Sequence, residues 1–158
     1  MPQHWDFYLC HIDDAPCTVF LDLAAEAPDA TRPECLRVRF DFHEPNEHGF
    51  PTKEESAAAD PVEDAIVDAL TEGLDATFVG RTTGSGMRQL YFYAAGHDGL
   101  ETVLGDVQDR FDAYPFEVDL EVDPEWAIYR DFLYPNAAEL KWMQDREQES
   151  DGPSDPPV

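Results

Sequence analysis

Hydrophobic residues alternate strictly over positions 35–42. Leu36, Val38, Phe40 and Phe42 share one side, and Arg37, Arg39 and Asp41 the other. A period of two with one apolar side predicts a strand in the middle of a sheet, one face buried and one bearing arginine. From there the period switches repeatedly. Val62, Ala65, Ile66, Ala69 and Leu70 recur at helical spacing until Gly73. Segments 76–82 and 87–95 read as strands joined by Thr83-Gly84-Ser85-Gly86, a hairpin turn by composition. Leu100, Val103, Leu104, Val107 and Phe111 mark a second helix, for which Asp98 and Glu101 are the expected caps. Phe116, Val118, Leu120 and Val122 alternate with Glu117, Asp119 and Glu121, which predicts a last strand exposed on one face.

Upstream, 5–12 and 17–24 both alternate, and Asp13-Asp14-Ala15-Pro16 between them predicts a turn, hence an N-terminal hairpin. Segment 28–33 reads as polar loop, as does the Pro-, Gly- and Asn-bearing stretch 43–51. Thr52-Lys53-Glu54-Glu55 has the capping-box pattern and opens a helix. Pro61 interrupts that helix and Asp60 is placed to cap a restart, so the expectation is a short or kinked helix and then a firm one. Asp123-Pro124-Glu125 opens a short helix with Trp126, Tyr129 and Leu133 on its stripe, and Pro135 ends it. Asn136 is placed to cap a final helix carrying Leu140 and Met143.

The order strand, helix, strand, strand, helix, strand predicts an α+β domain of the ferredoxin-like split βαβ type (βαββαβ), with an extra N-terminal β-hairpin and C-terminal helices. Strand 35–42 is then central, between the strands at Met87 and Phe116. One sheet face packs on the two helices; the other is open, or partly covered by the hairpin or the C-terminal helices. Residues 1–144 form the single domain, and 145–158, rich in Pro, Ser, Asp and Glu, are expected to be a disordered tail.

Composition supports a globular chain, with 42% apolar and 12% aromatic residues. No run approaches the roughly 20 apolar residues of a membrane helix. The first residues lack the basic and apolar regions of a signal peptide, so a cytoplasmic location is expected. The formal charge of −25 argues against nucleic acid, whose binding rests on Lys and Arg, and permits a basic protein partner. Asp and Glu are spread over the whole chain, and the same acidity reads first as a solubility or salt-adaptation signature. Cys10, Cys17 and Cys35 are odd in number with no C-x-x-C spacing, so neither a disulfide framework nor a zinc site is suggested. Free thiols buried in strands are the reading for Cys10 and Cys35.

Catalytic motifs are few. His43 and His48 are five apart, about 140° on a helix, with Pro45 between them, so His43-Glu44-Pro45-Asn46-Glu47-His48 is a solvated loop before it is a metal site. Gly80-Arg81-Thr82-Thr83-Gly84-Ser85-Gly86 lacks the Lys-Ser/Thr step of a phosphate loop and precedes a strand. Arg81 and Arg88 flank that turn, placed either to hold an anion together or to solvate the tip. No nucleophile elbow or triad pattern occurs. The best site is the arginine face of the sheet, where Arg37 and Arg39 lie with Gln89, Tyr91 and Tyr93 if Leu90 and Phe92 point inward. Glu117, Asp119 and Glu121 fall beside them and are placed for cross-strand ion pairs. Arg37, Arg39, Arg81, Arg88, Tyr91 and Tyr93 are therefore the binding candidates; no catalytic residue, metal or cofactor is expected.

Three motifs resemble the bacterial domain-of-unknown-function family 695: Gly49-Phe50-Pro51-Thr52-Lys53-Glu54-Glu55; Val79-Gly80-Arg81-Thr82 with Arg88 to Tyr93; and Asp123-Pro124-Glu125-Trp126 with Tyr129 and Leu133-Tyr134-Pro135. The resemblance covers residues 5–135 and carries no catalytic residue. It extends distantly to the regulator of ribonuclease E activity B, an acidic inhibitor with a related α/β fold, which implies a protein-binding regulator. The leading expectation is a non-enzymatic, acidic binding or regulatory module, monomeric or homodimeric and without nucleic acid or membrane. The alternative is an enzyme or small-anion binder using the Arg/Tyr face, whose side chains must then converge in a concave pocket.

Overall fold

The computed structural model describes residues 3–149. Six strands form one sheet: β1 (Trp5–Ile12), β2 (Ala15–Asp22), β3 (Glu34–Asp41), β4 (Thr77–Gly84), β5 (Met87–Ala94) and β6 (Phe116–Val122). Their order across the sheet is β1-β2-β4-β5-β3-β6, and every neighbouring pair is antiparallel. The protein is thus α+β, and β3 lies between β5 and β6 as its alternation predicts.

Both hairpins turn in two residues that take positive φ. Asp13 and Asp14 lie at 51° and 66°, Ser85 and Gly86 at 54° and 78°. This handedness matches the twist of paired strands, and Asp tolerates it better than most residues. The β1–β2 hairpin pairs through β2 with β4. It widens the sheet instead of covering a face.

Helices α1 (Lys53–Gly73) and α2 (Leu100–Arg110) cover one face. Leu36, Val38, Phe40, Leu90 and Phe92 meet Val62, Ile66, Leu70, Leu104 and Val107 there. Each such side chain contributes ~1.5–3 kcal/mol by leaving water. The other face is not open. A π-helical turn (Ile128–Leu133) and α3 (Ala137–Glu149) lie over it, burying Tyr8, Val19, Cys35, Tyr91 and Tyr93 beneath Trp126, Tyr129, Leu133 and Met143.

Several local expectations are corrected. The stretch around Pro61 is one helix of 21 residues. Its buried stripe (Ser56, Ala59, Val62, Ile66, Leu70) runs unbroken past Pro61. Pro61 and Ala57, whose carbonyl a proline cannot serve, both face solvent. Asp60 caps nothing and instead reaches Arg88 at 3.0 Å. Neither Asp98 nor Glu101 caps α2, which starts from Gly99 at φ 84° with no side-chain cap. The short helix after Asp123 is π-helical. The Asp123 carboxylate accepts the N–H groups of Ala127 and Ile128, four and five residues on, which draws the chain into a wider turn. Both faces of β6 are exposed towards its end, Leu120 and Val122 included, because no strand flanks it on the outer side. α3 runs through Glu149, so the start of the expected tail is helical; residues 150–158 lie outside the described residues.

Candidate recognition surface along the first helix

Helix α1 begins at Thr52, whose side chain accepts the Glu55 N–H. The reciprocal half of the capping box is missing. The Glu55 carboxylate turns to the Glu44 N–H at 2.7 Å and to the Tyr114 hydroxyl. His43 stacks on Tyr114, ring centroids 4.3 Å apart and nearly parallel, and bonds through Nε2 to the Ala113 carbonyl. These residues line an open notch of about 410 Å³ with Glu44, Thr52 and Glu54. Burial pushes the Glu55 carboxyl up, but the Tyr114 and backbone hydrogen bonds and the nearby His43 outweigh it, and the net position is below the usual carboxylate range. Burial, then the Glu55 bond and charge, push the Tyr114 phenol up to about 12.

About two turns further, Glu63 takes both arginines of the β4–β5 hairpin. Arg81 Nη1 lies 2.8 and 2.9 Å from its two carboxylate oxygens, and Arg88 Nη1 3.0 Å from one. Arg88 is only 1% exposed. It also lies over the Phe42 ring, and Arg81 over Phe20.

Beyond Arg81 the sheet outruns the helices. Trp5, Phe20 and Phe78 form an aromatic floor, centroids 5.1 and 5.2 Å apart. Val67 and Thr71 of α1 form the wall, and Gln3, Ala76 and Thr77 complete a groove of about 550 Å³. The crest of α1 beside it carries Asp60, Asp64, Asp68 and Glu72, all exposed. They are four residues apart, so they stack in one row, and like charges at that spacing repel. Among the described residues, Asp64, Asp68 and Glu72 have no ion-pair partner. Across the crest, Asp64, Asp68 and Glu72 also line a second open groove against Arg110 and Phe111 of α2.

The residues singled out from sequence do not gather in one place. Arg37, Arg39, Tyr91 and Tyr93 share the face opposite α1, as the alternation predicts, with Arg37 opposite Tyr91 and Arg39 opposite Gln89. Arg37 pairs with Glu121 at 3.8 Å and Arg39 with Glu117. Tyr91 is buried, which pushes its phenol up. Tyr93 is stacked under Trp126 at 4.1 Å; its hydroxyl donates to Asp123 and accepts the Tyr129 N–H. Arg81 and Arg88 project to the α1 face, since Arg88 stands opposite Phe40. They flank the turn but are drawn away from its tip by Glu63. His43 and His48 part company: His43 serves Tyr114, and His48 lies 3.4 Å from Glu47. Among the described residues no group of three or more His, Cys, Asp or Glu is placed to hold a metal ion, and no helix is long and apolar enough to cross a membrane.

Sequence reasoning missed the aromatic groove. Its signal was Phe20 and Trp5 on the sides of their strands opposite Val19 and Tyr8, an apolar excess with no helix assigned to cover it. Tyr114 gave no signal: its partner Glu55 is 59 residues away.

The family of unknown function DUF695 matches residues 3–134 of the chain. The protein belongs to this family. No curated protein matches it. In this DUF695 protein, the motifs that carried the resemblance fall into two clusters. Gly49-Phe50-Pro51-Thr52-Lys53-Glu54-Glu55 leads into α1 beside the turn of the β4–β5 hairpin that carries Arg81 and Arg88, and there the Gly86 N–H donates to the Gly49 carbonyl at 2.9 Å. Gly49 sits at φ 85°, and a Cβ there would meet Ser85 N at 2.7 Å, so conformation and space both require glycine. Asp123, Trp126 and Tyr129 meet Tyr93 on the opposite face.

Proposed function

We propose that this DUF695 protein is a non-enzymatic binding module that recognises a basic protein segment, seated with an apolar side chain in the Trp5–Phe20–Phe78 groove and its Lys or Arg residues along the α1 crest. The observation that carries this reading is the unneutralised row Asp64, Asp68, Glu72 beside an open aromatic groove. Six of the eight arginines (Arg32, Arg37, Arg39, Arg81, Arg88 and Arg146) are engaged by carboxylates of the same chain. Arg110 borders the crest across the second groove without pairing to it, which leaves the row open to a cation from a partner, and buried aromatic anchors with complementary charge nearby suit such recognition. The same pairing removes support from a small-anion site on the Arg/Tyr face: Arg37 and Arg39 already hold carboxylates there, and Tyr91 and Tyr93 lie beneath the C-terminal helices.

We read the four strands β4-β5-β3-β6 with α1 and α2 as a ferredoxin-like split βαβ unit; the position of β3 between β5 and β6 supports this. The distant resemblance to the regulator of ribonuclease E activity B favours a regulatory role for the same surface.

Calorimetric titration tests the reading. A Lys-rich amphipathic peptide with bulky apolar residues is expected to bind, to weaken as salt rises, and to lose at least tenfold in affinity with Thr71→Arg, which fills the groove wall and adds positive charge. Equal binding of a purely hydrophilic oligolysine, or no effect of Thr71→Arg, contradicts it.

A further inference from the structure

The type of turn that closes the first hairpin also fixes what faces what along it. With Asp13 and Asp14 as the two turn residues, Ile12 stands opposite Ala15 and Cys10 opposite Cys17. Directly opposed residues of an antiparallel pair have Cα atoms about 4.5–5.5 Å apart, within the ~4.4–6.8 Å that a disulfide spans. Both side chains point to the face covered by the C-terminal segment; the Cys17 thiol donates to the Thr18 carbonyl at 3.6 Å. Cys17 is buried in the cluster beneath the C-terminal segment; Cys10 packs against that cluster, half-buried. Cys35 cannot compete. It lies in β3, with β4 and β5 between it and β2, fully buried opposite Tyr93.

We propose that Cys10 and Cys17 form a reversible dithiol–disulfide couple, a modification site at the edge of the sheet that takes a low-molecular-weight disulfide such as oxidised glutathione as its oxidant. The half-exposed Cys10 thiolate attacks one sulfur of the oxidant. A Cys10–sulfur bond forms, the oxidant's S–S bond breaks, and the released thiolate takes up a proton. Cys17 then gives its proton to solvent and attacks the Cys10 sulfur, forming the Cys10–Cys17 bond and expelling the second thiolate. The protein loses two hydrogens and the oxidant becomes two thiols; a reducing dithiol reverses the sequence.

The order of attack is set by the surroundings. Cys10 is half-buried and Cys17 buried. The interaction between the adjacent thiols holds Cys10 below its ordinary range and, with burial, pushes Cys17 up. The attacking thiolate is therefore the accessible one and the resolving thiol the buried one. This inference is independent of the partner reading, since it invokes neither the groove nor the α1 crest.

The experiment treats the full-length chain with oxidised glutathione and follows intact mass and peptide maps. The expected product is monomeric, has lost two hydrogens, yields a linked Cys10–Cys17 peptide, keeps Cys35 free for alkylation after denaturation, and returns to the dithiol with dithiothreitol. Cys17→Ser is expected to stop at the mixed disulfide on Cys10. A wild-type chain that stays unreacted, stops at the mixed disulfide, or links Cys10 to Cys35 or to a second chain overturns the proposal. Should Cys17→Ser fail to fold, the wild-type map alone decides.

Discussion

At position 55 a glutamate marked by sequence as half of a capping box directs its carboxylate away from the cap. It holds the Glu44 N–H and the Tyr114 hydroxyl instead, and Tyr114 in turn carries His43 on its ring. A hydrogen bond to a buried charge contributes about 1.5–3 kcal/mol, so Tyr114→Phe is expected to lower unfolding stability in urea by about that amount. The pH dependence has a definite sign. The folded-state Glu55 carboxyl lies below its ordinary value, so its contribution is complete above the unfolded value of about 4.3 and disappears as pH falls through the folded one. Between about pH 5 and pH 3 the Tm of wild type should fall more steeply than that of Glu55→Gln; parallel curves would show that Glu55 contributes nothing. Thr52 as N-cap was legible in the sequence because its partner is three residues away. The destination of Glu55 was not, because a contact across 59 residues is set by the fold.

At the scale of elements, alternation was the most informative signal. β1 and β6 occupy the predicted residues, and Leu36, Val38 and Phe40 face the helices as read. Pro61 misled, since a proline is tolerated in a helix interior when its face meets water and the buried stripe continues on both sides. It still leaves α1 one hydrogen bond short. Proline costs about 3 kcal/mol against alanine in a helix interior, and its stiffening of the unfolded chain returns about 0.4–1 kcal/mol. Pro61→Ala is accordingly expected to stabilise the protein by about 2–2.6 kcal/mol in chemical denaturation, and a loss of stability would mean that the backbone at Pro61 is under a constraint beyond this. Glu63 presents the opposite case. Glu63→Leu leaves the buried Arg88 with Asp60 as its one carboxylate partner and is expected to cost about 3 kcal/mol. The burial of the Arg/Tyr face came from elements whose location the sequence did not disclose. Trp126, Tyr129 and Leu133 were readable as an apolar stripe and the C-terminal helices as one of two possible covers for this face; that they, and not the hairpin, bury Tyr91 and Tyr93 needed the structure.

At the scale of the whole molecule, 35 acidic residues face 10 basic ones, and most of the arginines are already engaged. Self-repulsion therefore opposes the folded state at low ionic strength. Tm should rise with sodium chloride as the screening length shortens from about 30 Å at 0.01 M to about 8 Å at 0.15 M. Asp68→Lys replaces two repulsive neighbours, Asp64 and Glu72, with attractive ones. It is expected to raise Tm by ~2–3 °C at low salt while weakening binding of a basic peptide, so that stability and recognition change in opposite directions. The charge was plain in the sequence; its concentration beside an aromatic groove needed the sheet order, which sets Phe20 of β2 and Phe78 of β4 on adjacent strands. The Cys10–Cys17 register was not legible either: the composition of Asp13-Asp14-Ala15-Pro16 predicts a four-residue turn, whereas the chain turns at Asp13-Asp14 and Ala15 and Pro16 join the second strand. The most direct test of the recognition surface is an amide and indole NMR map of the labelled protein titrated with the Lys-rich amphipathic peptide. Shifts centred on the Trp5 indole, Thr71, Thr77 and Phe78, and absent in Thr71→Arg, are the predicted result; shifts scattered evenly over the acidic surface, or reproduced by oligolysine, would contradict it.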